Sequence, residues 1–185
     1  MKILKVSAAI GLMAASLAAH ADLYGTLSGR SANPASNPAL SIEGSFGTGS
    51  DYQNFGVRVN YNVNERLTIY GDLGRSERFF YDGNSIGGGA FFYLPVIDGF
   101  DSAVQASIHR AALDGRFFGA SDDRDITAVG GAFLISPEEP INARGLNWYA
   151  NAGVTIINED SNFSRDNDST EPTIGGGIYM PLGPG

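Results

Sequence analysis

Phe55-Gly56-Val57-Arg58-Val59-Asn60-Tyr61-Asn62-Val63-Asn64-Glu65-Arg66-Leu67-Thr68-Ile69-Tyr70-Gly71-Asp72-Leu73 decides the fold. In its first half Phe55, Val57, Val59, Tyr61 and Val63 alternate with Arg58, Asn60 and Asn62. In its second, Leu67, Ile69 and Leu73 alternate with Thr68, Tyr70 and Asp72. Successive side chains of a strand point to opposite faces, so each half predicts a strand with one apolar and one polar face. Asn62-Val63-Asn64-Glu65 carries turn residues, which predicts a hairpin of strands over 54–63 and 66–76.

The pattern repeats on both sides. Upstream, 39–48 sets Leu40, Ile42 and Phe46 against Ser41, Glu43 and Ser45. Downstream, 102–112 sets Val104, Ala106 and Ile108 against Gln105, Ser107 and His109. The segment 146–157 sets Trp148, Ala150, Ala152, Val154 and Ile156 against Asn147, Tyr149, Asn151 and Thr155. Three further segments, 85–94, 125–135 and 172–180, share another design: a glycine cluster, a bulky end, then a proline within two residues. Glycines allow close approach and tight bending of a sheet. The expectation is an all-β, antiparallel up-and-down transmembrane β-barrel of eight strands, ten in a complete chain.

The N-terminus predicts an exported protein. Lys2 and Lys5 precede an apolar run from Val6 to Ala19, and Ala19-His20-Ala21 has the small-x-small form of a signal cleavage site. The run is too short and too rich in Ala to span a bilayer as a helix. The expected organisation is a signal peptide over 1–21, an N-terminal segment over 22–38, and a barrel over 39–185. The 22–38 segment could equally join the sheet or remain loop: Leu23–Ser28 alternates, and 31–38 is rich in Asn, Ser and Pro.

Composition narrows the function classes. The chain has no cysteine, which excludes zinc-finger, iron–sulfur and thiol chemistry. Of its 12 basic residues two lie in the leader, and the rest face 20 acids. That balance argues against nucleic acid, because little would neutralise phosphates. Acidic loops remain compatible with lipopolysaccharide through divalent cations. In a soluble barrel the apolar face would point inward; in a membrane barrel lipid lies outside and the lumen is polar. Few Leu and one Trp would fill a soluble core poorly, and Glu43, Arg58 and Asp72 sit mid-strand where charges can pair across a narrow lumen. Tyr61, Tyr70, Phe91, Phe92, Tyr93, Phe133, Trp148, Tyr149 and Tyr179 are expected in interfacial girdles. Connections 49–53, 77–84, 113–124 and 158–171 are charged and read as external loops. Those at 63–65, 95–101 and 136–145 read as periplasmic turns.

The leader, the run Tyr61–Gly71 and the Gly-rich strands ending in Tyr/Leu-Pro resemble small outer-membrane β-barrel proteins of the opacity-protein-like kind. The resemblance covers roughly 39–180 and implies an outer-membrane location, contact with lipid and lipopolysaccharide, and handling by the barrel-assembly machinery. Such barrels end on a C-terminal aromatic strand, whereas this sequence ends Met180-Pro181-Leu182-Gly183-Pro184-Gly185: either a final hairpin is missing, or the eighth strand closes the sheet without that signal.

Residues with chemistry are sparse. His109 has Gln105 and Ser107 on its face, but Ser107-Ile108-His109-Arg110 lacks the His-x-Ser-type order of the lipid-A-modifying barrels it would resemble, so a lumen-lining imidazole is expected. Asp122, Asp123, Asp125 and the acidic run 159–168 lack calcium-loop spacing and read as solvated loops. Gly87–Gly89 and Gly175–Gly177 are not phosphate loops, since no Lys-Ser/Thr follows. The repeated Arg78-Phe79-Phe80 and Arg116-Phe117-Phe118 could grip lipid headgroups or a partner, or form an upper girdle with Arg at the phosphate layer. No catalytic, cofactor or metal site is expected. The expected role is a non-enzymatic envelope barrel. A soluble barrel holding a small ligand, and a lipid-modifying enzyme, are the alternatives.

Overall fold

The computed structural model describes Ala32 and residues 39–48, 52–78, 81–117, 120–143, 145–161 and 167–179. Eight strands run in chain order: β1 Leu40–Thr48, β2 Tyr52–Asn64, β3 Leu67–Arg78, β4 Tyr81–Ile97, β5 Phe100–Phe117, β6 Ala120–Pro137, β7 Asn147–Ser161 and β8 Asn167–Tyr179. They form one antiparallel up-and-down sheet in the order β1 to β8. No β1–β8 ladder occurs among the described residues.

Turns after even strands gather at one end, here the turn end; those after odd strands lie at the loop end. Asp98 and Gly99, with φ of 49° and 80°, form the two-residue β4–β5 turn. Two successive positive φ values make the hairpin turn whose twist matches its strands, and Asp-Gly is its favoured sequence. The expected 95–101 connection is therefore corrected to 98–99. Pro95 lies within β4, where the register shifts between Leu94 and Ile97, a bulge that tolerates its missing N–H.

The strands also outrun their expected lengths at the loop end. Segments 77–84, 113–124 and 158–171, expected as long loops, are largely ladder: Glu77 pairs with Asp82, Leu113 with Arg124, and Asn158 with Asp168. These stretches are polar on their outward face as well, so the alternation fades while the hydrogen bonds continue.

The two faces differ sharply in kind. Arg58, Asn60, Thr68, Asp72, Ser76, Ser85, Gln105, Asn147 and Asn151 are buried. Leu40, Ile42, Val59, Ile69, Leu73, Ile86, Val104, Ile108, Val129, Val154, Ile156 and Ile174 are exposed, Ile42 to 74% and Ile174 to 67%. The sheet thus curls with its polar face inward. Contacts that skip a strand require this curvature: Tyr70 on β3 accepts from Gln105 Nε2 on β5 at 2.7 Å, and Tyr81 on β4 donates to Asp122 on β6.

One group of aromatic expectations is corrected. Tyr70, Phe91 and Tyr93 are buried on the inner face, not set in an outer girdle. Tyr149 lies over Gly177 on the same face. Their positions have the parity of Asp72 and Asn147 along their ladders, which turns them inward. Tyr61, Phe92 and Phe133 are exposed outward.

Candidate functional site in the polar interior

The ladder registers place Glu43, Arg58, Asp72, Gly87 and His109 in one inner row across β1 to β5. Arg58 is wholly buried, and Asp72 is 2% exposed. Arg58 Nε donates to Asp72 Oδ1 at 2.6 Å and its second terminal nitrogen to Oδ2 at 2.8 Å. This fork matches a carboxylate in two parallel bonds. The guanidinium also stacks 3.9 Å above the Tyr70 ring centroid and 5.8 Å from Phe91. Cation–π contact and a bidentate partner together offset the cost of burying the charge.

His109 adds a third bond to the same carboxylate, Nε2 to Asp72 Oδ2 at 2.8 Å. Asp72 and His109 stand on β3 and β5, and Gly87 of β4 lies between them in the row. A Cβ built on Gly87 would meet His109 Cδ2 at 1.9 Å. The missing side chain is therefore the slot through which the imidazole crosses β4. Gly89 does the same for Tyr70, whose hydroxyl would stand 2.5 Å from a Cβ there. The glycine cluster makes room for inner side chains lying across it. We expect Gly87→Ala to cost about 1–3 kcal/mol by forcing His109 off Asp72, read as a shifted urea midpoint.

Glu43 accepts from Asn60 Nδ2 at 2.9 Å, and the same amide reaches Ser41 Oγ at 3.2 Å. His109, Tyr70, Gln105 and Phe91 belong to this network although the pattern did not single them out as its members. Parity with Asp72 was the available signal; cross-strand register, which decides who meets whom, is not written in the alternation.

Toward the loop end a second network joins β4, β6 and β7 on the inner face. Asp122 accepts from the Tyr81 hydroxyl, from Ser161 Oγ at 2.9 Å and from Arg124 at 3.0 Å. Arg124 also donates to Glu159 at 2.6 Å. The Tyr81 hydroxyl, with Ser161 and Arg124, holds the Asp122 carboxyl below the ordinary carboxylate range. Ala111, Leu113 and Ile126 pack beneath it.

At the turn end Asp101 is 7% exposed, and its Oδ2 has no hydrogen-bond partner among the described residues. A carboxylate oxygen buried without a donor is costly. Asp101→Asn removes that charge and should stabilise the protein by about 1 kcal/mol, read as a raised urea midpoint.

Several expected residues escape this geometry. Ala19, Ala21, Phe79, Phe80 and Phe118 lie outside the described residues. Arg78 ends β3, and Arg116 and Phe117 end β5, with only their backbones described. No group of three or more His, Asp or Glu that could hold a metal occurs among the described residues. No protein-family model, curated protein or solved structure matches the chain.

Proposed function

We propose that this protein is an outer-membrane β-barrel with a structural or surface-contact role and no catalytic activity. One observation carries the reading: charged and polar side chains are buried while large aliphatic side chains stand outward on all eight strands. In water such a surface is far larger than the few hundred Å² of contiguous apolar patch a soluble monomer tolerates. Against acyl chains it costs nothing.

The belt has suitable dimensions. On β7 it runs outward from Trp148 through Ala150, Ala152 and Val154 to Ile156, ending at Asn158 and Asp160. That is roughly 26 Å of strand, or about 20 Å of height at the usual tilt of ~40°. Outward charges begin at corresponding levels elsewhere: Arg75 on β3, Arg110 on β5, Asp125 on β6 and Asp168 on β8. This collar belongs at the headgroup layer, where Arg meets lipopolysaccharide phosphate and the carboxylates meet it through divalent cations. The loop end then faces the exterior.

Hydrocarbon leaves no partner for an unpaired strand edge, so the wall closes, and in an eight-stranded barrel β1 and β8 close it. They run in opposite directions, and their direct pairing continues the antiparallel order. Fractionation tests the location: the protein should enter the outer-membrane fraction and migrate faster on gels before boiling than after. Recovery from the soluble periplasm would sink the reading. Closure has its own check. Cysteine pairs scanned along β1 (Leu40, Ile42) and β8 (Ile174, Ile178) should cross-link within one chain, and no pair cross-linking would refute direct closure.

The interior supports the non-catalytic assignment. Its histidine is engaged with Asp72, beside a fully buried Arg58. His109→Asn should leave the lipid A composition of the host membrane unchanged by mass spectrometry.

A further inference from the structure

The inner face is filled on one side only. On β2 to β5 the inward residues Asn60, Thr68, Tyr70, Phe91 and Gln105 are buried. Their two ladder rows continue across β6, β7 and β8 as Gly130, Thr155 and Glu171, and as Ala132, Gly153 and Thr173. These six keep part of their surface. Eight strands enclose a space that large side chains just fill, or that holds one small ligand where they do not. Glu171 apart, nothing inward in these rows on β6 to β8 is larger than Thr.

Asn151 gives an independent sign of a ligand. It points inward on β7, one row nearer the turn end, and is 6% exposed. Its Nδ2 has no hydrogen-bond partner among the described residues. The amide lies over Gly175 of β8, where a Cβ would stand 2.9 Å from Oδ1 and 3.1 Å from Nδ2. The glycine thus lays the amide along the floor of the groove. Two rows away Glu171 receives a long bond from Ser169 Oγ, at 3.4 Å, which leaves acceptor capacity on the carboxylate.

A buried donor without an acceptor is costly, and a ligand atom that accepts from it recovers that cost. The occupant must accept at Asn151 and donate at Glu171. Four residues of strand separate those levels, about 13 Å. An ammonium group donates and cannot accept. A free amino acid does both, but one carbon separates its charged groups, too short a span. Hydroxyls do both, and a two-ring sugar carries them over that length. We propose that the β6–β8 side of the interior is a binding groove for a neutral polyhydroxylated ligand of disaccharide size. Asn151 donates to it at one end and Glu171 accepts from it at the other. Thr155 and Thr173 lie between, with hydroxyls that can do either. This adds a ligand to the envelope role. It is read on purified protein, so its failure and a failure of the location are separate results.

The test titrates the purified full chain, held in a detergent without a sugar headgroup, with maltose, trehalose, sucrose and lactose, and separately with putrescine. Calorimetry should show saturable binding of at least one disaccharide. Asn151→Leu and Glu171→Gln, both near the native size, should each weaken it roughly two- to tenfold through one lost polar contact. Thr173→Trp fills the groove and should weaken it at least ~10-fold. Thr170→Trp, exposed on the outer face of the same strand opposite Ile156, should leave it within about twofold. No saturable binding of any of the four sugars would overturn the proposal, as would binding of putrescine alone. Sugar binding that none of the three inward substitutions weakens would overturn it as well. If Thr173→Trp does not fold, Asn151→Leu and Glu171→Gln decide, and unchanged affinity in both refutes the groove.

Discussion

Asp72→Ala is expected to destabilise the folded protein by about 3–5 kcal/mol, the largest loss of any single polar substitution in the interior. The carboxylate receives two bonds from Arg58 and one from His109, and Arg58 has no accessible surface. Removing Asp72 leaves a guanidinium stacked over Tyr70, near Phe91, with its main counter-charge gone. Pairing the change with Arg58→Leu removes the stranded charge, so the double variant should be more stable than Asp72→Ala alone. A double-mutant cycle isolates the coupling, because the two residues touch. Urea unfolding in detergent, followed by the fluorescence of the single tryptophan, Trp148, measures all four states. Additive losses would mean that solvent enters the interior freely and the network does not hold the arc of β2 to β5 together.

What the sequence made legible was the belt. Every segment read as a strand is one: five show outward apolar residues against inward polar ones at period two, and three show a glycine cluster with a bulky end before a proline. Toward the loop end the signal fades. Asp82, Asp114 and Asp123 stand outward in one row at the loop end, and their strands continue through ladder bonds that composition does not report. Asp/Asn/Ser-rich stretches therefore read as loops. At the turn end the Asp98-Gly99 signal was present but lay behind Pro95, which read as a strand stop. A bulge absorbs that proline, and only the register reveals it.

The interior was half legible for a different reason. Glu43, Arg58 and Asp72 could be placed on polar faces by parity. Who bonds to whom depends on which residues stand opposite, and one slipped position would have paired Arg58 differently. The part of Gly87 was hidden because a glycine looks the same whether it bends a sheet or clears a path for His109. Phe91-Phe92-Tyr93-Leu94 is apolar on both faces, so period two could not tell that Phe91 and Tyr93 turn inward while Phe92 turns out.

A charge set into the outward belt gives the second large effect, and its sign separates the two environments in which this fold could live. Ile69 lies mid-belt on β3, opposite Ala90 and Tyr61, and is 45% exposed. In water, Ile69→Arg would trade an exposed aliphatic group for a soluble one, and surface changes of that kind stay within about ±0.5 kcal/mol. In a bilayer the guanidinium would sit in hydrocarbon. Arg on the lipid face of a barrel costs about 2–4 kcal/mol near the midplane, falling to about 0–1 near the interface. Ile69→Arg should therefore lower the stability of protein folded into phospholipid vesicles by about 2–4 kcal/mol. Glu77→Arg, outward on the same strand above the collar, should change it by less than about 0.5 kcal/mol. Moving the arginine outward along β7, from Val154 to Ile156 to Asn158, should trace the same decline with depth. A flat profile along that strand would mean that no lipid surrounds the wall, and the exposed aliphatic residues would then need another partner to cover them.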